Sequence, residues 1–308
     1  MTTTHYSRFF PLHYRYQGSP PVSAQSTWWD WRGRSVHIRR TTNPQAPVRV
    51  LGIHGAGGYS GALWPFAELA AGEGGDVMFP DLPLYGDTLD PRPGRVRYQT
   101  WIDLLCDLVV AERQADERPL VLFGGSMGGM LAYEVAARTR DVAAVVATCL
   151  LDPSRADARR AAARFAWTGP IAPGLLRALS RVAGDVRVPV RWLVDMQQMS
   201  ANPLLVRQCA TDPKGGGASV PLGLLASYFN FRHTPPETFD AAPVTLVHPA
   251  RDQWTPAELS IQFLERITGE AELVLLDRCG HFPIEEPGLT QLVETMKSVR
   301  AQAAAGTR

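Results

Sequence analysis

The sequence predicts an α/β fold, a doubly wound and mostly parallel sheet, and three observations point to it. Six short apolar runs recur along the 308 residues, at 48–53, 76–79, 119–123, 142–151, 244–248 and 271–276. They are continuously apolar instead of alternating, which suits parallel strands covered on both faces. Turn residues and helical patterns separate them, and strand–helix alternation builds one twisted sheet between two helical layers. With 45% hydrophobic and 20% charged residues, the chain has the balance of a globular protein large enough for one such core.

Taken in order, "WWDWRGRSVHIRR" alternates well enough to open as an antiparallel hairpin turning at Arg32-Gly33, with Trp28, Trp29 and Trp31 as its packing. "VRVLGI" is the first buried strand and runs into the glycine-rich "HGAGG". "DVMF" follows, and then "YQTWIDLLCDLVVAERQADE" sets Trp101, Leu104, Leu105, Leu108 and Val109 on one helical face. "PLVLF" leads into "GGSMGGM", where "MGGMLAYEVAARTR" reads as a helix. After "VAAVVATCLL", no run from Asp152 to about Ala241 reads as a strand; the stretch holds Ala/Arg-rich helical pieces, prolines and the loop "TDPKGGGAS". That is too long for a plain connection. Residues 152–241 are therefore expected to form a mainly helical cap over the carboxyl ends of the strands, with 1–151 and 242–308 forming the core. "VTLVH" and "AELVLL" complete the sheet.

Lys+Arg is 31 against Asp+Glu 30, which argues against a dedicated nucleic-acid binder. No apolar run approaches a membrane span. The opening "MTTTHYSRFFPLHYRYQGSPP" lacks the continuous apolar stretch of a signal peptide. Cys106, Cys149, Cys209 and Cys279 lie far apart with no Cys-x-x-Cys pair, as suits free thiols in a reducing compartment. A cytoplasmic protein is expected. No metal-ligand spacing and no phosphate-binding glycine loop occurs, so neither metal nor cofactor is expected.

The chemistry concentrates at Gly124-Gly125-Ser126-Met127-Gly128, a G-x-S-x-G match. The pattern alone is weak; its place, directly after a strand and opening a helix, is what carries information. Such a corner lifts the serine Oγ above the sheet, over a helix start with unpaired N–H groups and a positive dipole end. A serine hydroxyl needs a base before it attacks anything. Of seven histidines, His5, His13 and His37 lie in or before the hairpin, His54 opens "HGAGG", His233 falls in the insertion and His248 within a strand, where a satisfied core histidine is expected. His281 sits on a short loop after the last strand, in "LVLLDRCGHFPIEEP", and is the candidate base. The base needs an acid. Asp252, in "VTLVHPARDQWTP", is favoured over Asp152, in "TCLLDP", because Asp152-Pro153 also serves as an entry turn to the insertion. Both loops can reach the same histidine, and either keeps the order Ser…Asp…His. Met127 N–H and Ala56 N–H are the candidate oxyanion donors.

On "HGAGGYSGALWPFAELA", "PDLPLYGDT", "GGSMGG", "PARDQWTP" and "GHFPIEEP", the chain resembles the α/β-hydrolase superfamily over nearly its whole length outside the insertion. Within it the chain looks most like monoacylglycerol lipase and lysophospholipase-type serine hydrolases. The resemblance implies a Ser126–Asp252–His281 triad, an oxyanion hole from Ala56 and Met127, a cap over the site, a small-molecule ester as partner, and hydrolysis without a cofactor. There are two departures: family elbows often read Gly-His-Ser-Met-Gly-Gly where position 125 here is Gly, and the usual Gly-x-Gly-x-Ser after the fourth strand is here "LYGDT", Leu84 to Thr88. The elbow also resembles that of homoserine O-acetyltransferases. An acyltransferase, a carbon–carbon bond hydrolase or perhydrolase, and a non-catalytic ligand-binding homologue stand as alternatives; Ser126 excludes the aspartate-nucleophile dehalogenases.

Two features of the insertion complete the reading. Met196, Met199, Leu224, Leu225, Tyr228 and Phe229 suggest an apolar acyl pocket, the other reading being that they face the core sheet. The pairs Arg155/Arg159 and Arg160/Arg164, at i,i+4 spacing, read as a solvated helix face.

Overall fold

The computed structural model describes residues 6–15, 24–162, 172–190 and 196–306. Gln25–Trp31 (β1) and Arg34–Arg40 (β2) form the opening antiparallel hairpin. Arg32 and Gly33 between them both have positive φ, 51° and 75°, which matches the twist of a two-residue hairpin turn. Trp31 is buried, and its indole N–H donates to Asp107, whereas Trp28 is exposed. Next come Arg49–Ile53 (β3), Asp76–Pro80 (β4), Leu120–Gly124 (β5) and Ala144–Ala147 (β6). The short Arg187–Pro189 (β7) and Ser219–Pro221 (β8) pair with each other, and Val244–Pro249 (β9) and Ala271–Leu276 (β10) close the series.

The main sheet has eight strands in the order β1-β2-β4-β3-β5-β6-β9-β10. The pairings from β4 to β10 are parallel, and β2 joins β4 antiparallel. This is the doubly wound sheet predicted from the continuous apolar runs. Strands β3, β4, β5, β6 and β9 are buried along their whole length. The run at β10 is equally apolar, yet Leu273 and Leu275 are exposed, because a sheet edge is covered on fewer sides than its centre.

Successive strand residues face opposite sides, and two cores result. Leu51, Ile53, Leu122 and Val145 pack with Trp101 and Leu105 of Tyr98–Ala115 (α3) and with Met130 and Tyr133 of Met127–Thr139 (α4). Val50, Val121, Phe123 and Val146 pack with Trp64 of Ser60–Gly72 (α2) and Leu292 of Gly288–Ala305 (α10). All five residues expected on the inner face of α3 are buried.

A short helix, Leu12–Arg15 (α1), precedes the hairpin and Ala257–Leu264 (α9) follows β9, while between β6 and β9 lie helices Ala156–Ala162 (α5), Ala172–Ala183 (α6), Pro203–Thr211 (α7) and Leu222–Phe229 (α8). The sequence gives no strand signal here, but β7 and β8 form a ladder of three residues each; strands so short leave no periodicity to read. Helix α7 starts where local chemistry places it: Asn202 accepts from the Leu204 and Leu205 N–H groups, and Pro203 holds the first turn. Arg159 donates to the Pro153 and Ser154 carbonyls, so it closes a turn instead of facing only solvent. His5, Arg164 and positions 191–195 lie outside the described residues. Among the described residues, no helix is long and apolar enough to cross a membrane.

Candidate active site

The carboxyl ends of β3, β5, β9 and β10 deliver Ala56, Ser126, Met127, Asp252 and His281 to the end of the sheet where ligands of open α/β sheets bind. At the end of β5 the chain turns through Gly125 and Ser126 straight into α4. Ser126 has φ 54° and ψ −127°, a conformation that costs a non-glycine residue about 1–3 kcal/mol and persists only where its surroundings enforce it. They do: Gly125 N–H donates to Ile53 O, Ser126 N–H to Thr148 Oγ1, and Gly128 N–H to Gly125 O. The turn is packed so closely that a Cβ at Gly128 would lie 2.1 Å from the Ile53 carbonyl oxygen. Gly128→Ala is therefore expected to lower stability by about 3 kcal/mol. Urea unfolding checks this, and an unchanged midpoint would contradict the contact. At Gly125, where family elbows often carry histidine, a Cβ would meet nothing within 4 Å.

His281 Nε2 lies 2.9 Å from Ser126 Oγ, and His281 Nδ1 lies 2.7 Å from Asp252 Oδ2. With Nδ1–H donated to the carboxylate, Nε2 is left to accept the serine O–H. The Asp252 carboxylate is buried, and its acceptors are filled: Trp254 N–H and Thr255 N–H reach Oδ1, and the Thr255 hydroxyl reaches Oδ2. Burial alone would raise its pKa, but His281 and these donors outweigh burial and hold the carboxyl down at about 2. The Trp254 ring lies 4.7 Å from the imidazole. The histidine loop is anchored on two sides, by Arg251 N–H to Cys279 O and by Phe282 N–H to Met199 O. Asp152 does not join this line. Its carboxylate accepts from the N–H and hydroxyl of Ser154, and its nearest imidazole is that of His233, at 3.9 Å.

Ala56 and Met127 sit on facing loops. Met127 opens α4, and Gly55, next to Ala56, lies so near that a Cβ there would be 3.1 Å from Met127 N. Neither amide donates to a protein acceptor among the described residues. The loop after β3 is shaped by His54, which is fully buried: Nδ1–H donates to Gly55 O, and Nε2 accepts Leu82 N–H. Burial lowers its pKa and favours this neutral form. Asp81 supports the same loop by accepting Ser60 N–H, together with His37 and Asp87 N–H. In "LYGDT", Leu84 has φ 89°, so it occupies the left-handed region ordinarily left to glycine.

Among the described residues one grouping, His37, Asp81 and Asp87, brings three potential metal-ligand atoms within 4.8 Å. Its donors are already engaged: His37 with Asp81 and Ser26, Asp87 with Lys214. His248 is only half satisfied: Nδ1 lies 3.1 Å from Pro249 O, and Nε2 has no partner among the described residues. The six pocket candidates divide. Met196 and Met199 pack with Trp254 in one core; Leu224 and Tyr228 lie buried in the other, Tyr228 against Tyr98, with Leu225 and Phe229 partly buried at its margin. Thr148, Thr255 and Asp81 were not singled out from the sequence. Only Thr255 carried a readable signal, an Asp-x-x-Thr spacing suited to a local side-chain turn.

Residues 50–290 match the family model described as the alpha/beta hydrolase family. No curated protein matches the sequence significantly. Among solved structures, a soluble variant of monoglyceride lipase from Saccharomyces cerevisiae, in complex with a substrate analogue, is similar with TM-score 0.73 at 16% identity, over 95% of this chain and 100% of that one. The monoacylglycerol lipase of Paleococcus ferrophilus gives 0.69 at 21% identity, over 87% and 99%. Est1E of Butyrivibrio proteoclasticus, with ferulic acid bound, gives 0.60 at 17%, over 91% and 99%. At these identities the likeness is one of fold.

Proposed function

The chain belongs to the alpha/beta hydrolase family, and from that premise we propose that it is a serine hydrolase of carboxylic esters acting through an acyl-enzyme on Ser126. The observation that carries the reading is the unbroken hydrogen-bond line Asp252–His281–Ser126 at a strained strand–helix corner. In this mechanism His281 Nε2 takes the serine proton as Oγ attacks the acyl carbonyl, and Asp252 stabilises the imidazolium that forms. The oxyanion is held by Ala56 N–H and Met127 N–H, each donor contributing roughly 2.7–4 kcal/mol. The alcohol leaves with the proton from His281. Water, deprotonated by the same nitrogen, then attacks the acyl-enzyme and releases the acid, returning Ser126 its proton. Residues 152–241 act as a cap bearing on substrate choice, in a cytoplasmic setting that suits the four free cysteines.

Substrates with an apolar acyl chain fit best, since the Trp254 ring lies against His281 and the Met199 side chain packs in the same apolar cluster as Trp254. Each methylene buried there should add about 0.8 kcal/mol, close to fourfold in kcat/KM. Across a p-nitrophenyl ester series, activity is expected to climb from acetyl to about hexanoyl or octanoyl and then level off once the chain outgrows the apolar surface beside His281. Acetyl preferred over every longer ester, with faster acyl-enzyme breakdown on adding an acceptor alcohol, would favour an acyltransferase instead.

A further inference from the structure

The glycine-rich turn "TDPKGGG" of the insertion (211–217) takes no part in the chemistry above, yet it is seated on the loop that carries Ala56. A Cβ on Gly215 would lie 2.6 Å from Gly57 O, and a Cβ on Gly57 would lie 3.1 Å from Gly216 Cα. One buried residue, Asp212, organises the contact. Its Oδ1 accepts Lys214 N–H, and its carbonyl accepts the N–H groups of Gly215 and Gly217, which fixes the turn. Its Oδ2 receives two phenols: the Tyr59 hydroxyl at 3.0 Å and the Tyr6 hydroxyl at 2.9 Å, from 153 and 206 residues away in the chain. Gly86 N–H and the Asp87 carboxylate bind Lys214 from the far side.

Tyr59 ends the Gly55–Tyr59 loop. That loop is held at its start by His54, within by Gly58 N–H on Gly55 O and by Gly57 N–H on the buried Tyr85 hydroxyl, and just past its end by Asp81 at Ser60 N–H. None of these bonds fixes the Tyr59 side chain or covers the carbonyl side of Gly57. The Asp212 carboxylate does the first through a charge-assisted O–H bond, and the glycine turn does the second by close packing. Tyr59 caps α2 with its backbone alone, so the side chain is not needed for starting that helix.

We propose that Asp212 is a positioning residue which, through Tyr59 and the 211–217 turn, holds the Ala56 N–H at the oxyanion site, with Tyr6 completing the clamp. This rests on the ester-hydrolase reading, in which Ala56 stabilises the tetrahedral intermediate. Oxyanion donors work only within a narrow geometric tolerance, so loosening the loop should act on the transition state and spare ground-state binding.

The test uses the full-length protein and its Tyr59→Phe, Asp212→Asn and double variants, each first checked for a cooperative thermal transition. Readouts are kcat and KM on a p-nitrophenyl ester and the Ki of an alkyl boronic acid, which becomes tetrahedral and anionic on the serine oxygen. Tyr59→Phe and Asp212→Asn are each expected to lower kcat about tenfold, with KM held within about twofold and the boronate Ki raised by the same factor. The double variant should be no worse than the poorer single one, because the Tyr59–Asp212 bond is already lost in either. Unchanged kcat and Ki in folded variants, a rise in KM alone, or additive losses would each overturn the clamp while wild-type hydrolysis keeps the esterase reading intact. A wild-type protein that neither hydrolyses esters nor binds the boronate takes both down.

Discussion

Ser126→Ala should lower kcat on a p-nitrophenyl ester by about 10⁶-fold, the loss typical when an activated serine is removed from a unit whose members act together. It should also abolish labelling by a fluorophosphonate probe, which wild-type protein should take up once per chain. The side chain removed is small and sits at the site edge, so the fold should survive; far-UV circular dichroism checks that. The remaining oxyanion donors would still leave rates above those in water. Labelling or hydrolysis that persists in the alanine variant would remove Ser126 from the mechanism.

For Asp252→Asn the expected loss in kcat is about 10⁴-fold, with little change in structure. A carboxylate only accepts, so it holds the Nδ1–H tautomer. An amide can donate to Nδ1 and leave the proton on Nε2, facing Ser126, where a base is needed. Asp152→Asn should change kcat only severalfold, since that carboxylate is engaged by Ser154; the reverse pattern would move the acid's role to Asp152. Stability gives an independent readout. The Asp252 carboxyl is held at about 2 against an ordinary 3.8, so its ionised form stabilises the folded chain above pH 4. That contribution, about 2 kcal/mol, is lost as pH falls from about 4 through 2. Asp252→Asn should therefore flatten this acid limb of the stability profile.

Much of the fold was legible because parallel strands in the middle of a sheet must be apolar on both faces, and those runs stand out. The edge position of β10 was not, because an apolar run reads alike whether one side or both are covered. Ser126 and His281 were legible from their places after strands. Both Asp252 and Asp152 follow strand ends, so the sequence favoured Asp252 only through the turn role of Asp152-Pro153; that Asp252 and not Asp152 lies against His281 is seen only from the side-chain partners. Thr148 bonds the Ser126 amide from 22 residues away, and Asp212 reaches Tyr59 across 153. Contacts of that separation leave no periodicity or spacing to read. Leu84 is a different case, since its left-handed backbone contradicts its residue type; local preference has yielded there to the close support around Asp81.

Strands β6 and β9 lie side by side, Val145 opposite Val244 and Ala147 opposite Leu246, although the chain between Ala147 and Val244 is 96 residues long (244 − 147 − 1). Bringing the ends of so long a segment together costs entropy that grows only with the logarithm of its length, about 0.6 kcal/mol for each doubling. Polymer statistics therefore put almost no limit on that segment's size. Ten residues more or fewer in it would shift the closure term by only about 0.1 kcal/mol, well below what one buried strand residue contributes. The ladder between β6 and β9 therefore leaves the segment's length almost unconstrained by closure, and what constrains it is its own contacts, such as the 211–217 turn on Gly57 and the Met199 carbonyl at Phe282 N–H.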